Sequence, residues 1–175
     1  KRCLATLQGH TSEVTSVSFS GDGKHIASGS RDYSVKIWNV QTRKCLATLY
    51  GHSHVVTSVS FSGDGKHIAS VSFDKSVKIW DVATKRCLAT LQGHTSEVTS
   101  VSFSGDGKHI ASGSRDYSVK IWNVQTRKCL ATLYGHSHVV TSVSFSGDGK
   151  HIASVSFDKS VKIWDVATKR CLATL

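Results

Sequence analysis

The stretch ASGSRDYSVKIW, residues 27–38, follows the pair Gly9-His10 in the sequence. It carries Ser28 and Asp32 and ends in VKIW, a β-branched and aromatic sequence that is typical of a strand. A histidine, a serine and an aspartate so close together in the chain have two interpretations. They form the catalytic triad of a hydrolase, or they form a structural hydrogen-bond network. The sequence on either side decides between the two.

The chain of 175 residues is a repeat within a repeat. Residues 1–91 are identical to residues 85–175, which defines a long period. Residues 8–49 match residues 50–91 at 31 of 42 positions, so each long repeat contains two similar units. The shorter period falls in the range of about 20 to 50 residues that indicates a solenoid, a propeller or an array. The identity of the long repeats leaves no accumulated drift, which is typical of a recent duplication or of an engineered sequence.

Each of the short units predicts four strands. In the first unit these are VTSVSFS (14–20), HIASGS (25–30), VKIWNV (35–40) and CLATL (45–49). The polar segments SGDGK, RDYS and QTRK separate them and predict turns. No segment has the period of about 3.6 residues that indicates a helix. The sequence therefore predicts an all-β fold of four-stranded antiparallel sheets, which is typical of propeller blades.

Two short markers recur at a fixed spacing in every unit. The second unit has a Gly-His pair at 51–52 and the dipeptide Trp-Asp at 80–81. The first unit has Gly-His at 9–10 and, at the same spacing, Trp-Asn at 38–39. Through these markers the chain resembles the WD-repeat β-propeller family over essentially its whole length. One departure is Ser-Gly-Asp-Gly at 20–23, where the family usually has Ser-Pro-Asp-Gly.

The resemblance implies four blades in the chain. We expect them at residues 8–49, 50–91, 92–133 and 134–175. The segment KRCLATL at residues 1–7 is then an extra copy of the outer strand, called strand d. The inner strand of each blade is strand a, and strands b and c lie between them.

The resemblance also implies that one histidine, serine, aspartate and tryptophan of each blade form a hydrogen-bonded tetrad. The matching residues are His10, Ser28, Asp32 and Trp38; His52, Ser70, Asp74 and Trp80; His94, Ser112, Asp116 and Trp122; and His136, Ser154, Asp158 and Trp164. A buried indole N–H needs an acceptor, and a serine hydroxyl can accept from it while donating to a histidine. The serine then points at tryptophan instead of at a substrate, and no G-x-S-x-G segment is present. We therefore expect structural tetrads, no catalytic residue and no enzyme.

The other candidate sites in the sequence are weaker. His52-Ser53-His54, with its copy at residues 136–138, has the spacing for a shared metal, but His52 already belongs to a tetrad. We expect no metal site and no cofactor. The cysteines recur at equal spacing, at Cys3, Cys45, Cys87, Cys129 and Cys171. An odd number at equal spacing is a poor disulfide framework, so it favours reduced thiols and a cytoplasmic location. No apolar run is long enough to predict a membrane span, so we expect no membrane partner.

The formal net charge of +10 is spread over the repeats. Each unit contributes +2, and Lys1 and Arg2 contribute the rest. This distribution favours solvated turns, or at most weak and nonspecific binding of nucleic acid or another polyanion.

The differences between units indicate where a partner could bind. Seven of the eleven differing positions lie before strand a or around the b–c turn, at the same end of the blade, which we call the top face. The resemblance implies that partners dock on this face. The predicted contact residues are Glu13, Thr15, Arg31, Val55, Thr57, Phe73, Glu97, Thr99, Arg115, Val139, Thr141 and Phe157. Phe73 and Phe157 indicate binding if they are exposed, whereas the alternative is that each packs on a neighbouring loop.

A blade cannot bury both of its faces alone, so blades stack until a ring closes. The resemblance implies about seven or eight blades in a ring, so we expect an eight-bladed homodimer with twofold symmetry. In that ring the segments KRCLATL at 1–7 and 169–175 compete for one position at each chain junction.

The function predicted from the sequence is a non-enzymatic interaction scaffold that self-assembles, either recently amplified or engineered. Two alternatives remain open. One is a module that binds a peptide or protein on the top face, and the other is a weak polyanion binder that uses the basic turns.

Overall fold

The computed structural model describes residues 1–175 and consists of sixteen strands joined by turns. The strands are β1 (Val14–Phe19), β2 (His25–Ser30), β3 (Val35–Asn39), β4 (Cys45–Leu49), β5 (Val56–Phe61), β6 (His67–Ser72), β7 (Val77–Asp81), β8 (Cys87–Leu91), β9 (Val98–Phe103), β10 (His109–Ser114), β11 (Val119–Asn123), β12 (Cys129–Leu133), β13 (Val140–Phe145), β14 (His151–Ser156), β15 (Val161–Asp165) and β16 (Cys171–Thr174). The protein has no helix that could cross a membrane.

The strands form four antiparallel sheets, each from four consecutive strands. In blade 1 the order is β1-β2-β3-β4, and the other blades repeat it. Each blade is therefore an up-and-down meander, in which the a–b and c–d turns lie at one end and the b–c turn at the other. We call the end with the a–b and c–d turns the bottom face. The backbone N–H of Val40 donates to the carbonyl of Lys24 at 2.9 Å and ties the two bottom turns together.

Turn chemistry sets where these strands end. In the a–b turn, Gly23 has φ of 70°, a conformation that glycine adopts without strain. Its N–H donates to the carbonyl of Ser20, and the carboxylate of Asp22 accepts from the N–H of Lys24. The close approach of Gly21 to the next blade explains the departure from proline, because a Cβ there would lie 2.8 Å from the carbonyl oxygen of Gly63.

The hydrophobic cores lie between blades, not within them. Each blade has a leading face, which its predecessor covers, and a trailing face, which covers its successor. Between blades 2 and 3 the trailing face contributes Ala69, Val71, Val77, Ile79 and Leu91, and the leading face contributes Val98, Val101, Phe103, Ile110 and Trp122. Equivalent residues fill the other two junctions. One blade therefore has no core of its own.

The four blades form an open row. Strand β1 packs beside β5, β5 beside β9, and β9 beside β13. Val14, Val17 and Phe19 on the leading face of blade 1 are exposed, and so is Leu175 at the other end of the row. The chain by itself does not close a four-bladed ring.

Residues 1–7, which we expect to form an extra strand d, are not in a strand in the single chain. Strand d pairs with a strand c, and the strand c of blade 1 is already paired with β4. Leu4 and Leu7 nevertheless line a groove with Phe19 on the leading face of blade 1. Leu88, which is the repeat equivalent of Leu4, lines the matching cleft between blades 2 and 3. The segment thus lies beside blade 1 where the outer strand of a preceding blade would be.

Candidate functional site

The four predicted side chains of each tetrad lie in contact in all four blades. The tryptophan Nε1–H donates to the serine Oγ at 2.8 Å in every blade. The serine Oγ lies 2.7 Å from the histidine Nε2 in every blade. The histidine Nδ1 lies 2.6–2.8 Å from an aspartate Oδ2. The tetrad therefore joins strands b and c to the top loops.

The donors and acceptors of the tetrad fix the tautomer of the histidine. In blade 2, Ser70 accepts from Trp80, so its own hydrogen is free to donate to His52 Nε2. His52 then carries its proton on Nδ1 and donates it to Asp74. The buried Ser70 hydroxyl therefore both accepts and donates a hydrogen bond inside the protein. This arrangement holds the loops in place instead of activating a nucleophile.

A second serine, which is not among the predicted site residues, completes each network. The hydroxyl of Ser76 donates to Asp74 Oδ1 at 2.6 Å, and its backbone N–H donates to the same oxygen at 2.9 Å. The backbone N–H of Ser53 donates to the other carboxylate oxygen. The Asp-x-Ser spacing, repeated in every unit, is the sequence signal for this serine.

These hydrogen bonds shift the acidity of the carboxylates. Burial raises the pKa of Asp74, but the hydrogen bonds from His52 and Ser76 lower it by more, so the pKa lies well below its usual range. The pKa values of the tetrad aspartates in the other three blades are also lowered. Each tetrad aspartate is therefore a carboxylate at neutral pH.

Serine hydroxyls of strand a also join neighbouring blades. The Oγ of Ser16 accepts from the backbone N–H of Val59, and the Oγ of Ser18 accepts from that of Phe61, both at 3.1 Å. Strand a is the inner edge of each sheet, so these N–H groups have no strand partner of their own. Each blade thereby satisfies the edge of the blade that follows it.

The threonines predicted as partner contacts lie at the blade junctions. Thr15 Oγ1 donates to the carbonyl of Val56 in the next blade at 2.5 Å, and Thr57 and Thr99 make the same contact one and two blades on. Thr141 has no blade after it and bonds only within its own blade. The hydroxyls of the first three threonines therefore link each blade to the next.

Among the predicted top-face residues, three of the four charged ones are exposed. Glu13, Arg31 and Arg115 are exposed, and Glu97 is half-buried. The N–H of Arg31 donates to the carbonyl of Glu13, so the two top loops of blade 1 hold each other.

Phe73 and Phe157 occupy the same position in blades 2 and 4 but differ in exposure. Phe73 is half-buried, because the guanidinium of Arg115 in the next blade lies 5.4 Å from its ring centroid and His54 also packs against the ring. Phe157 is 63% exposed, because no blade follows it. Phe73 therefore packs on a neighbouring loop, which was the alternative to a role in binding. The other apolar pair of the predicted surface is less accessible, since Val55 is buried and Val139 is half-buried.

The second histidine of the His-Ser-His segment belongs to the same cluster. His54 Nδ1 accepts from the N–H of Val55, and its ring packs against both Tyr33 of blade 1 and Phe73. His52 binds the tetrad aspartate, so the two histidines serve different contacts. No three histidine, cysteine, aspartate or glutamate side chains converge as metal ligands would. The five cysteines are free and exposed.

The repeated sheets, cores between blades and buried tetrads define an interaction scaffold of the β-propeller class. The family described as "WD domain, G-beta repeat" matches residues 1–39, 43–81, 85–123 and 127–165, and the chain belongs to it. The first matched unit begins with the segment at residues 1–7 and the other three with an outer strand, and every unit ends with the strand c of the following blade, so β16 remains after the fourth unit.

Individual relatives match the chain over about one repeat. The chain is 55% identical over 38 residues to "Vegetative incompatibility protein HET-E-1" of Podospora anserina, covering 22% of the chain and 3% of the relative. It is 59% identical over 39 residues to "Probable cytosolic iron-sulfur protein assembly protein 1" of Cryptococcus neoformans, covering 22% and 9%. It is 46% identical over 41 residues to "Protein Notchless" of Drosophila melanogaster, covering 23% and 8%. The matched part is thus less than a tenth of each relative.

Proposed function

We propose that the protein is a non-enzymatic interaction scaffold that pairs with a second copy of itself to close an eight-bladed ring. The observation that supports this most directly is the exposure of two apolar faces at the ends of the row. Val17 and Phe19 lie on the leading face of blade 1, and Leu175 lies on the trailing face of blade 4. Exposed apolar patches of this kind mark association surfaces.

The two open faces have the residues needed to fit each other. Because residues 85–175 repeat residues 1–91, the trailing face of blade 4 has the sequence of that of blade 2. The leading face of blade 1 likewise has the sequence of that of blade 3. A junction from blade 4 to blade 1 of a second copy would therefore repeat the junction between blades 2 and 3.

The polar groups at the open ends match in the same way. Ser100 and Ser102 accept from the N–H groups of blade 4, whereas the equivalent serines of blade 4, at positions 142 and 144, have no following blade. In the proposed ring they accept from Val17 and Phe19 of the second copy, as the serines of blade 2 accept from blade 3. Likewise, the arginine at position 31 of the second copy covers Phe157, as the equivalent arginine of blade 3 covers the phenylalanine of blade 2.

The segment at residues 1–7 is surplus in this ring. At each junction it and β16 of the other copy have the same sequence and the same possible partner, β15. We propose that β16 keeps this position, because the short c–d turn joins it to β15. Repetition at this level of identity also supports an origin by recent amplification or by engineering. The five exposed thiols support a reducing compartment such as the cytoplasm.

Electron microscopy of the purified protein tests the ring. End-on class averages of negatively stained particles are expected to show eight blades around one central channel. An open arc of four blades, or a closed ring with another number of blades, would overturn the proposed assembly.

The second candidate function is recognition of a peptide or protein on the top face. The observation that favours it is the set of exposed tyrosines at that end, Tyr33, Tyr50, Tyr117 and Tyr134. Aromatic rings of this kind supply contact area at binding surfaces. Selection from a displayed random-peptide library tests it. Selected peptides should lose binding to a Tyr33→Ala, Tyr117→Ala variant, and a selection that enriches no sequence would contradict this function.

A further inference from the structure

The charges of the protein are segregated between its two faces. The bottom turns, together with Lys1 and Arg2, hold 14 of the 22 lysines and arginines but only 6 of the 12 acidic residues, for a net charge of +8. The top loops hold 4 basic and 6 acidic residues, for a net charge of −2. Four lysines in the middle of the c strands account for the remaining +4. Four of the six acidic residues of the top loops are the tetrad aspartates, whose side chains are about nine-tenths buried, so the clear difference is the large excess of basic residues on the bottom face.

The carboxylates of the bottom face are bound within their own turns. Asp106 accepts from the hydroxyl of Ser104 and from the N–H of Lys108. Asp81 accepts from the N–H of Thr84. Most lysine and arginine side chains of these turns are exposed, so the accessible charge of this face is positive.

A cleft of about 480 Å³ opens on this face between blades 2 and 3. Lys108, His109 and Arg127 of blade 3 and His67 of blade 2 line its polar side. Where the even blades have aspartate at the end of strand c, blade 3 has Asn123, so this cleft has no carboxylate in its lining. The two comparable clefts beside even blades each include an aspartate.

The polar lining of the cleft consists mainly of donors. The Oδ1 of Asn123 already accepts from the N–H of Thr126, which leaves its NH₂ group as a donor, and the amide of Gln125 adds both a donor and an acceptor to the lining. Lys108 and Arg127 have no acceptor atom in their side chains. A peptide backbone needs donors and acceptors together, whereas a phosphate group needs donors and positive charge alone.

We propose that the bottom face binds chains of phosphate groups, and that the cleft between blades 2 and 3 holds one of them. This inference does not depend on ring closure, because blades 2 and 3 lie in one chain. The cleft is lined by no phenylalanine, tyrosine or tryptophan on which a nucleic-acid base could stack. The recognised chemistry is therefore the phosphate chain, supplied by inorganic polyphosphate or by a nucleic-acid backbone.

The test is fluorescence anisotropy of end-labelled inorganic polyphosphate of defined length, titrated with the intact protein at several salt concentrations. Wild-type protein is expected to bind, and its affinity should fall steeply with salt. A variant with Lys108→Gln and Arg127→Gln should lose affinity about tenfold, and its salt slope should fall by about two. No binding by the wild type at the lowest salt concentration would overturn the proposal.

A matched variant tests whether the position of the removed charges matters or only their number. Lys75→Gln with Lys159→Gln removes the same two charges from exposed positions on the top face. This variant should bind within about twofold of wild type. Equal losses in the two variants would overturn the proposed site. Circular dichroism and urea midpoints show that each variant is folded.

Two competitors test the ligand class. Polyglutamate of equal charge should compete much more weakly than polyphosphate, and equal competition would overturn recognition of phosphate. Oligothymidylate with the same number of phosphates should compete about as well as polyphosphate, since the cleft has no phenylalanine, tyrosine or tryptophan on which a base could stack. Markedly tighter binding of the oligonucleotide would overturn recognition by the phosphate chain alone.

Discussion

Val17 and Val59 occupy the same position in two consecutive blades, yet 64% of Val17 is exposed and only 5% of Val59. The two valines have identical neighbours along the chain, so their own strands cannot explain the difference. Val59 is covered by the trailing face of blade 1, and no blade precedes Val17. The stability of each blade therefore depends on the blades beside it, as in other repeat proteins.

The first prediction concerns this open face. A Val17→Glu variant is expected to remain folded and to lose self-association at micromolar concentrations, because the junction would bury an unpaired carboxylate. Sedimentation velocity measures the association. Tyr50→Glu is the control, since it adds the same charge at an exposed position outside the leading face of blade 1 and the trailing face of blade 4. Association by the Val17→Glu variant equal to that of the control would contradict the proposed junction.

The second prediction concerns the tetrads. Ser112→Ala removes the acceptor of Trp122 and the partner of His94 Nε2, and both of those groups are buried. Because buried groups without partners are costly, we expect a loss of about 1–3 kcal/mol in the free energy of unfolding. Urea unfolding measures the loss. Ser137→Ala, in an exposed loop, should change stability by less than about 0.5 kcal/mol. Equal stability of the two variants would mean that the tetrad does not support the fold.

The third prediction concerns acid. The hydrogen bonds to Asp74 hold its pKa in the folded protein below the unfolded value of about 4. A carboxylate with a depressed folded pKa stabilises the fold fully above the unfolded pKa, and this contribution is lost as pH falls toward the folded value. The Asp74→Asn variant should thus be less stable than wild type at pH 6, and the gap should shrink between pH 5 and pH 2. A difference in unfolding free energy that stays constant over this range would contradict a lowered pKa of Asp74 in the folded protein.

The fourth prediction concerns the alternation of glycine and valine in strand b. A Cβ on Gly113 would lie 2.7 Å from Val140 Cγ1 and 3.0 Å from Val143 Cγ1. Gly113→Val should therefore destabilise the protein by about 1–3 kcal/mol through overpacking, although valine is the natural residue at the equivalent Val71. Ser53→Val, at an exposed loop position of a blade with neighbours on both sides, is the control, since the equivalent residue of blade 1 is the β-branched Thr11. Thermal unfolding midpoints compare the variants, and equal midpoints would show that the junction accommodates the larger side chain.

Local patterns in the sequence predict the strands closely. The segments HIASGS and CLATL coincide with β2 and β4, and the other two strands of the first unit end one residue earlier than predicted. Alternating burial and turn residues are properties of a few adjacent positions, so one sequence is enough to reveal them. The tetrad partners were also reached from the sequence, through the resemblance and the hydrogen-bonding needs of a buried tryptophan.

Contacts between blades were not predictable in the same way. The hydroxyl of Ser16 accepts from an N–H of the next blade. The burial of the Phe73 ring depends on Arg115 of blade 3. Local periodicity carries no information on such partners, because it does not fix how one sheet lies on the next. The same reason explains why the bond from Thr15 to Val56 was not predicted, although Thr15 itself was singled out from its position in the repeat.

The mass of the protein in solution distinguishes the closed ring of two copies from the open row of one. Multi-angle light scattering on a size-exclusion column, at several loading concentrations, measures it without reference to shape. We expect one species at twice the chain mass of 18.9 kDa, because two open rows close on each other. A single species of 18.9 kDa at every concentration would contradict it, because the exposed faces around Val17 and Leu175 would then remain uncovered in solution.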